Sequence, residues 1–283
     1  MHFTANDVKT LREKTNAGMM DCKKALEQSK GDMQGAIEIL RKRGLAVAQA
    51  KAGRTASEGI LGFYCDPKGK EALLAEVNCE TDFVVKTDDF QKFVAKVTDV
   101  IKQKAPKNLE QLFELKYPSG ETVKEALDAL IGKIGENIQL RRFEHWKAGN
   151  PNEVIGLYIH AGSKIGVLVS LTDSGGKATT EAAKEIAMHV AAMHPAYVRR
   201  DEVPESILQK EREIQHATVD TKKPAEIQNK IIEGKLGKFF SDVCLEEQIF
   251  VKDLEGKKSV KDWLKGISPT AKIEKFVRLQ VGG

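Results

Sequence analysis

Apolar positions fall at helical spacing over the first fifty residues. Val8 and Leu11 share one face of a segment spanning 4–14, with Thr4 or Asn6 placed to cap it. Ala17-Gly18 breaks that pattern. A second helix starts at Met19 and Met20 and runs through Cys22, Ala25 and Leu26, with Asp21 favourable in its first turn. Ser29-Lys30-Gly31-Asp32 reads as a turn. Asp32 caps a third helix carrying Ala36, Ile37 and Leu40 and extending toward Gly44. The three form a small bundle whose best-placed core residues are Val8, Leu11, Leu26, Ile37 and Leu40. Residues 45–57 are small and basic and read either as helix or as flexible linker. A domain boundary is expected near Arg54–Ser57.

A weak internal repeat follows. Gly59-Ile60-Leu61-Gly62-Phe63-Tyr64, a Pro67-Lys68-Gly69 turn and the strand Ala72–Asn78 make one hairpin. Val154-Ile155-Gly156-Leu157-Tyr158-Ile159, an Ala161-Gly162-Ser163 turn and the strand Ile165–Leu171 make another. A helix follows each, over Asp88–Ala105 and Thr179–Met193, and each half ends in a strand, at Ile138–Phe143 and Phe276–Val281. Two antiparallel sheets with helices on one face imply an α+β fold. Into the second half, at about 203–242, are set two helices, Glu205–Val219 and Glu226–Phe240. They are joined by the Asp220-Thr221-Lys222-Lys223-Pro224 turn. Ile207, Ile214, Ile227, Ile231 and Leu236 are expected to zip them into an antiparallel hairpin. The expected domains are 1–54, 55–145 and 146–283.

Composition narrows the class. The 283 residues are 41% hydrophobic and 30% charged, as in ordinary globular chains, with a formal net charge of only +4. No Lys/Arg run with interleaved aromatics argues for nucleic acid. Residues 1–54 are more basic, with 11 Lys/Arg against 6 Asp/Glu, which suits an acidic partner, although a solvated helix face is the expected place of any one of these charges. Cys22, Cys65, Cys79 and Cys244 show no metal-type spacing and read as reduced thiols. No apolar leader or membrane-length run occurs, so a cytoplasmic protein is expected.

The chemistry-bearing motifs are missing. There is no GxxxxGK[ST], no HExxH and no GxSxG. His189 and His194 lie five apart, about 140° around a helix, and do not face one metal. His160 and Asp82 have no evident nucleophile to serve. Neither an enzyme nor a metal or organic cofactor is expected.

The segment Val77-Asn78-Cys79-Glu80-Thr81-Asp82-Phe83-Val84 carries most information. A strand built on Leu73, Leu74, Ala75 and Val77 turns polar and ends on an aromatic. Phe83 there either folds back under the next helix or is offered to a partner. Thr15-Asn16-Ala17-Gly18-Met19-Met20-Asp21-Cys22-Lys23-Lys24-Ala25-Leu26 and the Glu76–Phe83 segment resemble the two signatures of the bacterial elongation factor Ts family. Ile134-Gly135-Glu136-Asn137, Lys164–Val169, Ile186–Ala192, Lys222-Lys223-Pro224 and the strand around Arg278 fit it too, in order and spacing. Asn16 stands where glycine is common, and the sequence ends at Gly283 without the C-terminal helical module some members carry.

That resemblance implies a ubiquitin-associated-type N-terminal bundle and guanine nucleotide exchange on elongation factor Tu, in its GDP-bound and nucleotide-free states. It implies GTPase contacts at Met19, Met20 and Lys23. Thr81, Asp82, Phe83 and Val84 would form a wedge beside the Mg²⁺ and phosphate site, and Met188 and His189 would meet a distal domain. The alternative is an adaptor or chaperone that binds a helical ligand through the bundle.

Overall fold

The computed structural model describes residues 3–15, 17–218 and 224–283; Asn16 and the expected Asp220-Thr221-Lys222-Lys223 turn lie outside the described residues. Helices α1 (Ala5–Thr15), α2 (Met19–Gln28) and α3 (Met33–Lys51) form the bundle. Asp32 caps α3 by accepting from the Gln34 and Gly35 amides. Val8, Leu11, Cys22, Ala25, Leu26 and Ala36 close its core, and Ile37 and Leu40 sit half-buried at the border.

The choice left open for 45–57 resolves as helix through Lys51. At 19 residues, α3 runs unbroken out of the bundle and across α7 (Val123–Ile134). The crossing is close because glycine meets glycine. A Cβ on Gly132 would lie 3.0 Å from the Gly44 Cα, and one on Gly44 would lie 3.2 Å from the Asp128 carbonyl oxygen. Arg41 pairs with Glu125 over the same crossing, and Ala48 is buried in the main core. The N-terminal bundle is thus joined to the sheets by a packed helix.

Two three-stranded antiparallel sheets follow. The first has the order β1 (Glu58–Cys65), β2 (Glu71–Cys79), β3 (Ile138–Lys147), and the second β4 (Glu153–Ile159), β5 (Ile165–Asp173), β6 (Ala271–Gln280). Helix α5 (Asp88–Lys104) covers the first and α8 (Thr180–Met193) the second. The repeat holds in register: Ile60-Leu61-Gly62-Phe63-Tyr64 corresponds to Val154-Ile155-Gly156-Leu157-Tyr158. Both glycines seat a helix. A Cβ on Gly62 would fall 2.2 Å from Thr98 Oγ1 on α5, and one on Gly156 would fall 2.4 Å from the Ala183 backbone on α8. Both central strands shift register at the matching place, between Glu76 and Val77 and between Ser170 and Leu171.

The other faces of the sheets pack against each other. Leu61, Ala72 and Leu74 meet Ile155, Leu168 and Leu279 there, while Leu73, Ala75 and Val77 face the helices. Strand β2 is therefore apolar on both sides, which is why its sequence runs rather than alternates. Leu74 and Leu168 are fully buried in that seam, and each contributes roughly 2 kcal/mol relative to exposure.

Helices α4 (Asp82–Val85), α6 (Leu109–Glu114) and α11 (Val260–Ile267) join α7 as elements outside the expected set. Helix α7 begins with a full capping box, Thr122 with Glu125, and ends at Gly135 with φ 80°. In the insertion, α9 (Glu205–Thr218) and α10 (Ala225–Val243) lie side by side. The expected stripe is corrected. Ile207, Ile214 and Ile227 are exposed, whereas Ile232 and Leu236 are buried, with Ile231 and Phe240 packed around them. Partial burial on α9 falls at Leu208, Glu211 and Gln215, one position round from the isoleucines.

Candidate functional site

Strand β2 delivers a protruding tip. It ends at Cys79, Thr81 stays extended, and α4 makes a single turn. Consecutive residues of a helical turn point about 100° apart. Val84 accordingly faces inward and is buried in the main core, while its neighbour Phe83 faces out with 75% of its surface exposed. The choice between a folded-back and an offered Phe83 resolves as offered.

The tip is braced at its base. The Thr81 amide donates to Glu136 Oε2 at 3.0 Å and its hydroxyl to Glu136 Oε1 at 2.8 Å. Glu80 Oε1 accepts from the Asn137 amide at 2.6 Å, and its Oε2 faces Arg54 Nη1 at 3.5 Å. Asn137 Nδ2 donates to the Arg54 carbonyl at 2.6 Å. The tip is tied in this way to the corner between α7 and β3 and to the segment leaving α3. The Asn137 amide hydrogen bond holds the Glu80 carboxyl below its usual range, with the Arg54 charge assisting. Burial pushes the Cys79 thiol up to about 12, so it stays protonated and donates to the Thr81 carbonyl at 3.1 Å.

Asp82 and Lys86 form the charged shoulder of Phe83. Lys86 Nζ donates to Asp82 Oδ2 at 2.9 Å and lies 5.7 Å from the Phe83 ring centroid. That hydrogen bond lowers the Asp82 pKa, and the Lys164 charge adds to it. Lys164 closes the neighbouring turn by donating to Glu58 Oε2 at 2.6 Å. A rigid aromatic with a neutralised shoulder suits burial in a protein partner: the ring carries a large apolar area at little cost in ordering.

Met19 and Met20, 46% and 60% exposed, begin α2 together with exposed Lys23, which pairs with Glu27 at 3.9 Å. Asp21 fastens this end of α2 to α3 through Arg43 at 2.7 Å. On α8, Met188 is half-buried and His189 is fully buried. His189 sits inside the fold, behind the surface that Met188 borders. Its Nδ1 accepts from the Val251 amide at 3.1 Å, so its proton sits on Nε2, facing Gln248 Oε1 at 2.9 Å. Burial lowers its pKa, and Phe250 packs beside the ring. The exposed apolar groups held by this packing are Ile249, Val251, Leu254 and Met193.

The nine expected contact residues thus occupy three places: bundle, tip and α8. An open 390 Å³ groove between α3, α7 and β3 contains none of them. The braces Arg54, Glu80, Glu136 and Asn137 were not singled out as site residues. Their signal is the polar Gly135-Glu136-Asn137 corner after an apolar helix, which has meaning only once β2 and β3 are paired. Among the described residues no three His, Cys, Asp or Glu side chains converge as metal ligands, and no helix is long and apolar enough to cross a membrane.

Comparison with known proteins gives the family. A family model described as Elongation factor TS matches residues 80–283. The chain is 42% identical to Elongation factor Ts of Trichlorobacter lovleyi, across 100% of this chain and 93% of the relative. It is 45% identical to those of Nautilia profundicola and Clostridium novyi, over 99% of this chain and 93% and 92% of theirs. These full-length similarities define a translation elongation factor. More narrowly, the chain belongs to the elongation factor Ts family.

Proposed function

We propose that the chain is the guanine nucleotide exchange factor of elongation factor Tu, working in the cytoplasm on the GDP-bound and nucleotide-free GTPase. The observation that carries this reading is Phe83, three-quarters exposed on a tip that hydrogen bonds hold in place. An exposed aromatic on a mobile loop would lose entropy on docking; this one is ordered beforehand. Phe83 enters beside the Mg²⁺ and phosphate site of the GTPase, with Asp82 at its shoulder and Val84 anchoring it from within. Met19, Met20 and Lys23 grip the GTPase domain, and Met188, supported by His189, faces a distal domain.

The mechanism is linkage and involves no covalent chemistry by this chain. The factor stabilises a GTPase state with poorer nucleotide contacts, and the coupling free energy is reciprocal. Speeding release by about 10⁴ requires the barrier to fall by about 5.5 kcal/mol. One buried aromatic hot spot supplies about 2–4 kcal/mol. Tip, bundle and second-half contacts must therefore act together, which accounts for a surface spread over three places.

The test is stopped-flow release of labelled GDP from elongation factor Tu, with and without the chain. Accelerated release supports exchange. Binding without acceleration favours an adaptor or chaperone acting through the bundle, and the exposed Met19 and Met20 would then be its contact surface.

A further inference from the structure

The row Tyr158–Val167–Arg278 crosses the second sheet on the face that carries α8. Helix α8 ends over this row, at His194, whose left-handed φ of 51° lets its amide close on the Val190 carbonyl at 3.1 Å. Arg278 Nη2 donates to His194 Nε2 at 2.9 Å and to Gln280 Oε1 at 3.0 Å. Since a guanidinium has no acceptor, His194 Nε2 must be the lone-pair nitrogen. The guanidinium is thus held in one orientation by two neutral groups. Among the described residues it meets no carboxylate, and its buried Nε–H has no acceptor.

The surroundings do not neutralise it. Arg142 Nη2 donates to the Gln280 carbonyl at 3.2 Å from the neighbouring sheet. Arg141 and Arg142 already share Glu76, at 3.7 and 2.7 Å. Glu76 lies in the seam between the sheets, across the second sheet from Arg278, so it does not neutralise Arg278. A partly desolvated arginine without a carboxylate costs free energy in the isolated chain, and with Nη2 spent on His194 and Gln280, Nη1 is the nitrogen left to meet an incoming carboxylate.

We propose that Arg278, positioned by His194 and Gln280, receives a carboxylate side chain of the protein partner when the second half docks. This rests on the docking role proposed above and adds the chemistry of its second contact. The occupant is a single carboxylate rather than a phosphate. The helix end at this place is a C-terminus, whose partial negative charge disfavours a polyanion, and the site is a shallow sheet face without a cradle of backbone amides.

The test compares full-length wild type, R278K and R278Q by calorimetric titration against elongation factor Tu with GDP, at low and high salt. Arginine Nε–Hε NMR spectra are recorded before and after complex formation. R278Q is expected to weaken binding about tenfold or more at low salt and by less at high salt, with R278K in between. Unfolding midpoints match, and the Arg278 Nε–Hε resonance shifts on docking. Equal affinities for all three chains, or an unmoved resonance, overturn the contact. A resonance shifted by inorganic phosphate but not by the partner overturns it in favour of a free-anion site. A wild-type chain that fails to bind overturns the docking reading and this contact with it.

Discussion

Thr81 reaches Glu136 twice, through its backbone amide and its hydroxyl, across 55 residues of sequence. The carboxylate is an acceptor at both oxygens, so this one side chain fixes both the position and the roll of the tip. Glu136→Ala removes both acceptors while leaving the apolar core untouched. Circular dichroism should show an intact fold. Catalysed GDP release should slow about tenfold, from the lost ordering of a tip otherwise held by hydrogen bonds to a charged group worth about 1.5–3 kcal/mol each before relaxation. An unchanged release rate would show that the tip needs no brace.

Phe83→Ala should leave the unfolding midpoint within about two degrees of wild type, because the ring is outside the core and surface changes typically stay within about 0.5 kcal/mol. Catalysed release at saturating factor should fall by about 30-fold or more, the equivalent of a 2–4 kcal/mol hot spot. A large drop in melting temperature would return Phe83 to the core.

Gly132→Leu tests the passage of α3 over α7. The added side chain meets the Gly44 backbone, which cannot rotate away, so the helices must separate. Overpacking of this kind costs about 1–3 kcal/mol. It should also lower exchange activity by displacing Met19, Met20 and Lys23 relative to Phe83. By the same logic, deleting residues 1–54 should destabilise the remainder, since it removes Ala48 and uncovers the groove beside Leu127 and Ile131. Limited proteolysis of the truncated chain would show whether α7 frays; a protease-resistant remainder would mean that α3 contributes little to the core.

His189 makes stability depend on pH. Its pKa is lowered in the fold from about 6.5, so the unfolded chain binds the proton more readily. The contribution of neutral His189 is complete above about pH 6.5 and is lost as pH falls from there toward the folded-state value. The sign follows because protonation would abolish the Val251 hydrogen bond to Nδ1. Denaturant melts of wild type and His189→Gln between pH 5 and 8 should converge toward acid. A constant gap between the two curves across that range would contradict it.

Replacing 207–237 with a short Gly/Ser link should spare both sheets, because Ile232 and Leu236 form a cluster of their own. The factor concentration for half-maximal exchange should rise more than the saturating rate falls. A collapse of the saturating rate at an unchanged half-maximal concentration would assign the helical hairpin a direct part in release.

Both hairpins, the three bundle helices and the insertion were legible because each rests on local periodicity and turn chemistry. The tip was legible because a polar turn interrupts an unusually apolar strand. What remained hidden depends on distant pairing. Val84 and Phe83 are adjacent in sequence, and only the placement of α4 decides which one is buried. His189 lies on an apolar helix, where it reads equally as contact or core until Val251 and Gln248 arrive from 60 residues away. In the hairpin the expected Ile231 and Leu236 do pack, but Ile207, Ile214 and Ile227 are exposed, because on two thin helices periodicity alone does not decide between neighbouring faces. Helix α7 was readable from Thr122 and Glu125, a capping box followed by Leu127, Leu130 and Ile131.

The continuity of α3 makes the molecule a calliper. Asp21 holds the methionine end of α2 against Arg43, eight residues before Lys51, so about 12 Å of helix at 1.5 Å per residue separates that jaw from the helix end that leads to the braced tip. The gap between jaws is set in whole residues. Inserting one alanine in α3, between Arg43 and Leu45, would turn the methionine jaw by about 100° and lengthen the instrument by only 1.5 Å. What this helix sets is therefore angle far more than length.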